Sequence, residues 1–190
     1  MEKRPTCGEC KRPLKVCMCP GLPETPVSVL QHKVVILQHP SEKKQAFSSV
    51  RVLQKCIDVD VKVGREFQEM HLDNPVVVFP SKSARNEFPQ DTKTLVFLDG
   101  TWNFAKKLYN RNPWLHSFPT VVLNQQQAPL YAPLRNPPKP GLISTAEAVM
   151  YSLQTLGEEA PQQAILNALT YIVDKEVAQQ TQAKLKREVN

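Results

Sequence analysis

Lys33-Val34-Val35-Ile36-Leu37-Gln38 and Thr94-Leu95-Val96-Phe97-Leu98 decide the fold. Neither stretch alternates between apolar and polar residues, as a strand with one wet face would. A continuous apolar run fits a strand of a parallel sheet covered on both faces. Val76-Val77-Val78-Phe79 and Thr120-Val121-Val122-Leu123 read the same way. Helical periodicity lies between and after them, over residues 41–57, 101–109 and 144–156. A last helix over residues 161–180 carries Ile165, Leu166, Leu169, Ile172 and Val173 on one stripe. Ser144-Thr145-Ala146-Glu147 spells a capping box, and Gly157 stands where a carboxyl-terminal cap belongs. Strands alternating with helices predict an α/β fold, a mostly parallel sheet sandwiched by helices.

Residues 124–141 break the pattern. Pro129, Pro133, Pro137, Pro138 and Pro140 exclude ordinary helix and central strand. Long connections without secondary structure are usually functional. With Arg135 and Lys139 in it, a stiff, basic, ligand-binding loop is expected here, the alternative being a passive connector.

The chain's 190 residues suffice for one domain with a substantial core and a small appendage. No apolar run approaches the ~20 residues of a membrane span. Met1-Glu2-Lys3-Arg4-Pro5 lacks the apolar stretch of a signal peptide, so a cytoplasmic protein without a membrane partner is expected. The formal charge of +6 biases it toward an anionic partner. Lysine and arginine are dispersed, which predicts a basic face on a folded body rather than a disordered arm.

Four of the five cysteines, Cys7, Cys10, Cys17 and Cys19, read C-x2-C-x6-C-x-C. Two short-spaced pairs can each span an edge of a tetrahedral thiolate site. Gly8 eases the turn inside the first pair, and Pro13, Pro20 and Pro23 stiffen the flanks. Zn2+ held by four protein ligands leaves no position for water, so a structural rather than catalytic zinc is expected. An iron–sulfur cluster or a reactive cysteine pair is the alternative. Cys56 falls within the periodic apolar set Ala46, Phe47, Val50, Leu53 and Ile57 and is expected to be buried and inert. A proline-bearing connector over residues 20–28 divides a zinc-binding segment and linker, residues 1–28, from a main domain, residues 29–190.

Ligands of parallel α/β sheets bind at the carboxyl ends of the strands. Here those ends read Gln38-His39-Pro40-Ser41-Glu42, Pro80-Ser81-Lys82-Ser83 and Asp99-Gly100-Thr101-Trp102, and the fourth opens into the proline-rich loop that ends at Ser144-Thr145-Ala146-Glu147. Each has a structural alternative. Asp99 fits a helix cap, Trp102 a core position above Ala105 and Tyr109, Glu147 its own capping box and His39 a hydrogen-bonded structural histidine. Neither a P-loop, nor a glycine-rich dinucleotide fingerprint, nor a serine elbow is present.

The cysteine cluster and three of these elements, taken in order, resemble the DTW-domain family, whose name comes from the Asp-x-Thr-Trp element. The resemblance spans roughly residues 4–155 and rests on the cysteine cluster, Gln38-His39-Pro40-x-Glu42, Asp99-Gly100-Thr101-Trp102 and Ser144-Thr145-Ala146-Glu147-Ala148. It implies a tRNA-uridine aminocarboxypropyltransferase, which moves the 3-amino-3-carboxypropyl group of S-adenosylmethionine to N3 of a uridine and releases methylthioadenosine. It also implies a SPOUT-like fold with a carboxyl-terminal trefoil knot, a rare feature in proteins generally, and tRNA as partner. The oligomeric state stays open, SPOUT relatives often being dimers. The implied cofactor-binding residues are His39, Pro40, Glu42, Pro80, Leu98, Asp99, Leu123, Leu134, Arg135, Ser144, Thr145 and Glu147, and the implied catalytic residues are Asp99, Thr101 and Trp102. Some family members have alanine where this chain has Gly100, a change that loosens the turn and removes no side-chain chemistry. An RNA methyltransferase on the same fold and a zinc-containing RNA-binding protein without catalysis are the competing functions.

Overall fold

The computed structural model describes residues 5–45, 48–123, 129, 130, 132 and 143–188. Five strands, β1 (Lys33–Gln38), β2 (Asp60–Val63), β3 (Pro75–Val78), β4 (Thr94–Asp99) and β5 (Thr120–Val121), form one sheet in the order β2-β1-β4-β3-β5. Every pairing is parallel. Around it lie the helices α1 (Ser49–Cys56), α2 (Trp102–Arg111), α3 (Thr145–Thr155) and α4 (Glu159–Glu188).

The two-residue period of a strand sorts the central side chains between two cores. Val34, Ile36, Leu95 and Phe97 join α1, α3 and α4 on one face. Val35, Leu37, Val96 and Leu98 join Ala105 and Leu108 of α2 on the other. The expectation of a parallel sheet covered by helices on both faces holds.

Four expectations on element bounds are corrected. The helix expected over residues 41–57 is a 3-10 turn, Pro40–Lys44, followed by the short α1. Gln45 and Ser48 are extended and interrupt the ladder, and Ala46 and Phe47 of the expected stripe lie outside the described residues. Strand β2 was not expected. It is a four-residue edge strand, Asp-Val-Lys-Val, with no fully buried residue, so it lacks the apolar run that marks the central strands. β5 stops at Val121 rather than Leu123. Finally, α4 runs about two turns past the expected end at residue 180, because its last residues are mostly alanine, glutamine, lysine, arginine and glutamate, which favour helix without burial.

The capping box forms as expected, with the Ser144 side chain accepting from the Glu147 amide and Glu147 accepting from the Ser144 amide. Gly157 adopts φ +77°, the left-handed cap that ends α3. The next residue fixes the other end of the molecule. Glu158 accepts from the amides of Leu30 and Gln31 and from His32 Nδ1, at 3.2, 2.7 and 2.9 Å, and so ties the start of α4 to the approach of β1. α3 therefore runs from the carboxyl ends of the strands to their amino ends, and α4 packs back along it.

Burial raises the Glu158 pKa, but the bonds from His32, Gln31 and Leu30 outweigh it and hold the carboxyl below the usual glutamate range. The resulting stabilisation is complete above that usual range and is lost as pH falls through the lowered value. Glu158→Ala leaves two amides without an acceptor and should cost about 1–3 kcal/mol in urea unfolding at neutral pH. The gap between variant and native protein should close in acid. A gap that stays constant down to pH 3 would refute this account.

Candidate active site and metal centre

Register builds the site. Gln38 and Asp99 are Cα partners at the ends of β1 and β4. By the strand period both side chains point to the α3 face, since Ile36 and Phe97, two residues earlier, lie in that core. Asp99 Oδ2 accepts from Gln38 Nε2 at 2.9 Å, and Oδ1 accepts from Thr145 Oγ1 at 2.6 Å. Asp99 is 6% exposed. Burial raises its pKa against the two hydrogen bonds, which lower it, and the net shift is upward. The Asp99 carboxylate thus joins β1, β4 and the first turn of α3. It does not cap α2, whose N-cap is Thr101.

The next residues point to the opposite face. His39, whose amide donates to the Asp99 carbonyl at 2.8 Å, stacks on Phe104 of α2 with ring centroids 4.0 Å apart. Its Nδ1 accepts from the Ser41 hydroxyl at 2.7 Å and caps the 3-10 turn that begins at Pro40. Burial, then Arg65, Arg111 and Lys107, hold its pKa below the usual imidazole range, so the ring is neutral. Gly100 lies under this stack. A Cβ there would meet Phe104 Cβ at 3.0 Å and His39 Cβ at 3.4 Å. The glycine admits the stack as well as loosening the turn.

Glu147 is fully buried and does more than complete its capping box, because Oε1 also accepts from the Leu130 amide at 2.6 Å. Trp102 stacks on Phe79 with ring centroids 5.6 Å apart, which fits the structural alternative of a packed side chain. Leu98 is buried in the α2-side core, and Leu123 is half-buried against the other. Pro40 and Glu42 are half-buried in the turn after β1, whereas Pro80 and Thr101 are exposed. Leu134 and Arg135 lie outside the described residues, as do Lys139 and most of the proline-rich stretch. The structure thus brings together His39, Asp99, Ser144, Thr145 and Glu147. Sequence reasoning missed Gln38 as a site residue, and also Phe104. The signal for Gln38 was a lone polar side chain at the end of an otherwise apolar strand.

The four cysteine sulfurs lie within 4.8 Å of one another. Cys7 and Cys19 Sγ are 3.7 Å apart, and Cys10 and Cys17 Sγ 3.8 Å. Bonds of about 2.3 Å to one tetrahedral ion place thiolates about 3.8 Å apart, whereas a disulfide needs about 2.05 Å. The cluster has the dimensions of a single four-thiolate metal centre. Backbone amides of Cys10 and Glu9 pull the Cys7 thiol well below the usual thiol range, the direction that favours a thiolate ligand. Cys56, by contrast, is fully buried and pushed up to about 12, the inert thiol expected.

The DTW domain family matches residues 4–177. The chain belongs to that family. A mouse tRNA-uridine aminocarboxypropyltransferase 2 is 30% identical over 98% of this chain and 68% of its own length. The protein of that name from Macaca fascicularis is 29% identical over the same shares. One from Drosophila melanogaster is 33% identical over 81% of this chain and 67% of its own. No solved structure matches significantly. Among the described residues, no helix is long and apolar enough to cross a membrane.

Reconstitution with Co2+ should give one equivalent bound per chain, with intense thiolate-to-cobalt absorption. Cys17→Ser should abolish that spectrum and Cys56→Ala should leave it intact. An unaltered spectrum in Cys17→Ser would rule out the four-thiolate centre.

Proposed function

We propose that this chain is a tRNA-uridine aminocarboxypropyltransferase that uses S-adenosylmethionine, a cytoplasmic enzyme with a structural Zn2+ at Cys7, Cys10, Cys17 and Cys19. The observation that carries the proposal is the Asp99 carboxylate. Gln38, Asp99 and Thr145 come from three motifs separated by tens of residues, and one buried acid gathers them at the strand ends. The relatives' activity supplies the reaction. S-adenosylmethionine supplies an electrophilic carbon beside its sulfonium, and the protein selects the aminocarboxypropyl arm by aligning that carbon, not the methyl, with N3.

Asp99 takes the N3 proton. Each of its oxygens accepts one hydrogen bond, leaving lone pairs for the substrate. Its raised pKa brings a carboxylate closer to the weakly acidic imide and makes it a better base than an exposed aspartate. Thr101 and Trp102 open α2 beside it, and Trp102 offers the uracil an aromatic edge. Reaching N3 requires an unpaired or flipped uridine, which suits a tRNA loop. His39, Pro40, Glu42, Pro80, Leu98, Leu123, Leu134, Ser144, Thr145 and Glu147 line the cofactor. Arg135 receives the methionine carboxylate, a role the amino terminus of α3 serves poorly because Glu147 already places a carboxylate there.

The same reading extends to the architecture. A SPOUT-like arrangement with a carboxyl-terminal knot is supported by β5 at the sheet edge and by α3 starting over the central β4. The residues that would thread it lie mostly outside those described. Residues 1–28 act as a zinc-binding segment that guides tRNA to the domain of residues 29–190. Of the basic residues around the cysteines, Arg12 is bonded to Glu176 of α4 and anchors the segment. Lys15 remains for RNA, Lys11 donates to the Gly8 carbonyl, and Lys3 and Arg4 lie outside the described residues.

Incubation with unmodified tRNA and S-adenosylmethionine labelled in the methionine chain should place label in RNA. Methyl label in RNA instead would identify a methyltransferase, and no label from either position a non-catalytic binder. Asp99→Asn should slow transfer roughly 10²–10⁴-fold. In the native enzyme kcat/KM should fall with acidification through an apparent pKa above the ordinary aspartate value, because the base must be ionised and its pKa is raised.

A further inference from the structure

Asn112, 1% exposed, sits just past α2 and makes three hydrogen bonds. Its Nδ2 donates to the carbonyls of Leu108 and Arg65 at 2.7 and 3.2 Å, and its Oδ1 accepts from the Phe67 amide at 2.7 Å. This buried amide staples the segment after β2 to the end of α2. The Gly64 amide, donating to the Gln38 carbonyl at 3.0 Å, fixes the same segment to the end of β1. Arg65 is thereby held near Arg111, the last residue of α2.

On α2, Phe104, Lys107 and Arg111 fall at i, i+3 and i+7, one helical stripe. Lys107 Nζ lies 5.6 Å from the centroid of the Phe104 ring, and that ring stacks on His39 beside Asp99. Arg65, Lys107 and Arg111 are exposed, and none is in an ion pair with a carboxylate among the described residues. Their charges all reach His39 and lower its pKa. Three exposed cations converging on one wall of the site, without acidic partners, have no structural task that accounts for them.

We propose that Arg65, Lys107 and Arg111 form a phosphate-binding ridge that seats the tRNA backbone next to the target uridine, with Asn112 as its positioning residue. The inference rests on the transferase reading for the identity of the RNA. The geometry suits a polyanion, because cations spread over two elements match successive phosphates better than one small anion. Backbone contacts of this kind set register and add affinity without reading sequence. Methionine-carboxylate binding by the same cations is the competing use and is resolved by the test.

The test measures binding of tRNA by the full-length, metal-loaded protein across a salt series, with S-adenosylmethionine affinity and aminocarboxypropyl transfer measured in parallel. Arg65→Gln/Lys107→Gln/Arg111→Gln should weaken tRNA binding at least ~10-fold near 0.1 M salt and lower the slope of log K against log salt by about 0.7–0.9 per lost contact. Cofactor affinity should be unchanged. Lys93→Gln, at the amino end of β4 and so at the far end of the strand from Asp99, should behave as native protein. Asn112→Ala should shift KM for tRNA more than for S-adenosylmethionine.

Unchanged tRNA affinity and slope in the triple variant would overturn the ridge while leaving the transferase reading intact. Loss of cofactor affinity with tRNA binding preserved would overturn it in favour of the carboxylate site. Native protein that binds tRNA through these residues but transfers nothing would support the ridge and sink the transferase. Native protein that binds no tRNA would overturn both.

Discussion

β1 and β4 pair in register over six residues, from Lys33 opposite Thr94 to Gln38 opposite Asp99. Parallel strands so aligned send paired side chains to the same face, and the alternation along each strand sends the next pair to the other. The apolar residues hold this register firmly, because a slip of one residue would turn Val34, Ile36, Leu95 and Phe97 out of one core and into the other. The site follows as a continuation of that alternation. Gln38 and Asp99 fall on the α3 side, and His39 and Gly100 fall on the α2 side. The requirement to bury two hydrophobic layers therefore also positions the acid, its amide donor, the histidine and the glycine beneath it.

The acid is expensive to bury and is kept by its partners. Asp99 would not remain charged at 6% exposure without donors, since an isolated buried carboxylate protonates instead. Gln38 and Thr145 lower its pKa, and burial raises it more. The balance holds the Asp99 carboxyl above the usual aspartate range. The same bond from Thr145 fixes the start of α3, and the capping box orients that turn independently of Asp99. The start of α3 and the end of β4 are thus joined through the Asp99 carboxyl, while the capping box holds the helix turn without it.

The parallel sheet, its two central strands and the capping box of α3 were legible in the sequence because each depends on local pattern, namely apolar runs and a four-residue motif. β2 was not, since an edge strand buries little and carries no apolar run. The end of α4 was missed because helix propensity, rather than an apolar stripe, sustains it. At the site, Asp99, His39, Thr145 and Glu147 were legible from their places after strands or at a helix start. What they bond to was not. That Asp99 accepts from Thr145 rather than capping α2, and that Glu147 reaches Leu130, depends on how distant segments meet. The ridge was equally hidden, because Arg65 and Arg111 are 46 positions apart in sequence and are brought together by the bonds that Asn112 and Trp114 make to residues 65–67.

The metal centre is placed by the same helix that closes the fold. α4 starts at the amino ends of the strands, where Glu158 holds residues 30–32, and Glu176 lies about 26 Å along it at 1.5 Å per residue. A six-residue strand such as β4 spans only about 20 Å. Arg12, bonded to Glu176, therefore stands near the level of the strand ends that carry Asp99. Met18 is buried in the same core as Ile165, Leu169 and Ile172 of α4. Gly21 lies so close to Tyr171 that a Cβ would come within 2.6 Å of its side chain. Three contacts along one helix dock the cysteine segment on α4. A closed four-thiolate centre would add no reactive position there, but it would keep thirteen residues of irregular chain, from Cys7 to Cys19, in a single shape. On the proposed reading, that shape is what a folded RNA would meet, so a structural metal there would affect which RNA reaches Asp99 without touching the reaction itself.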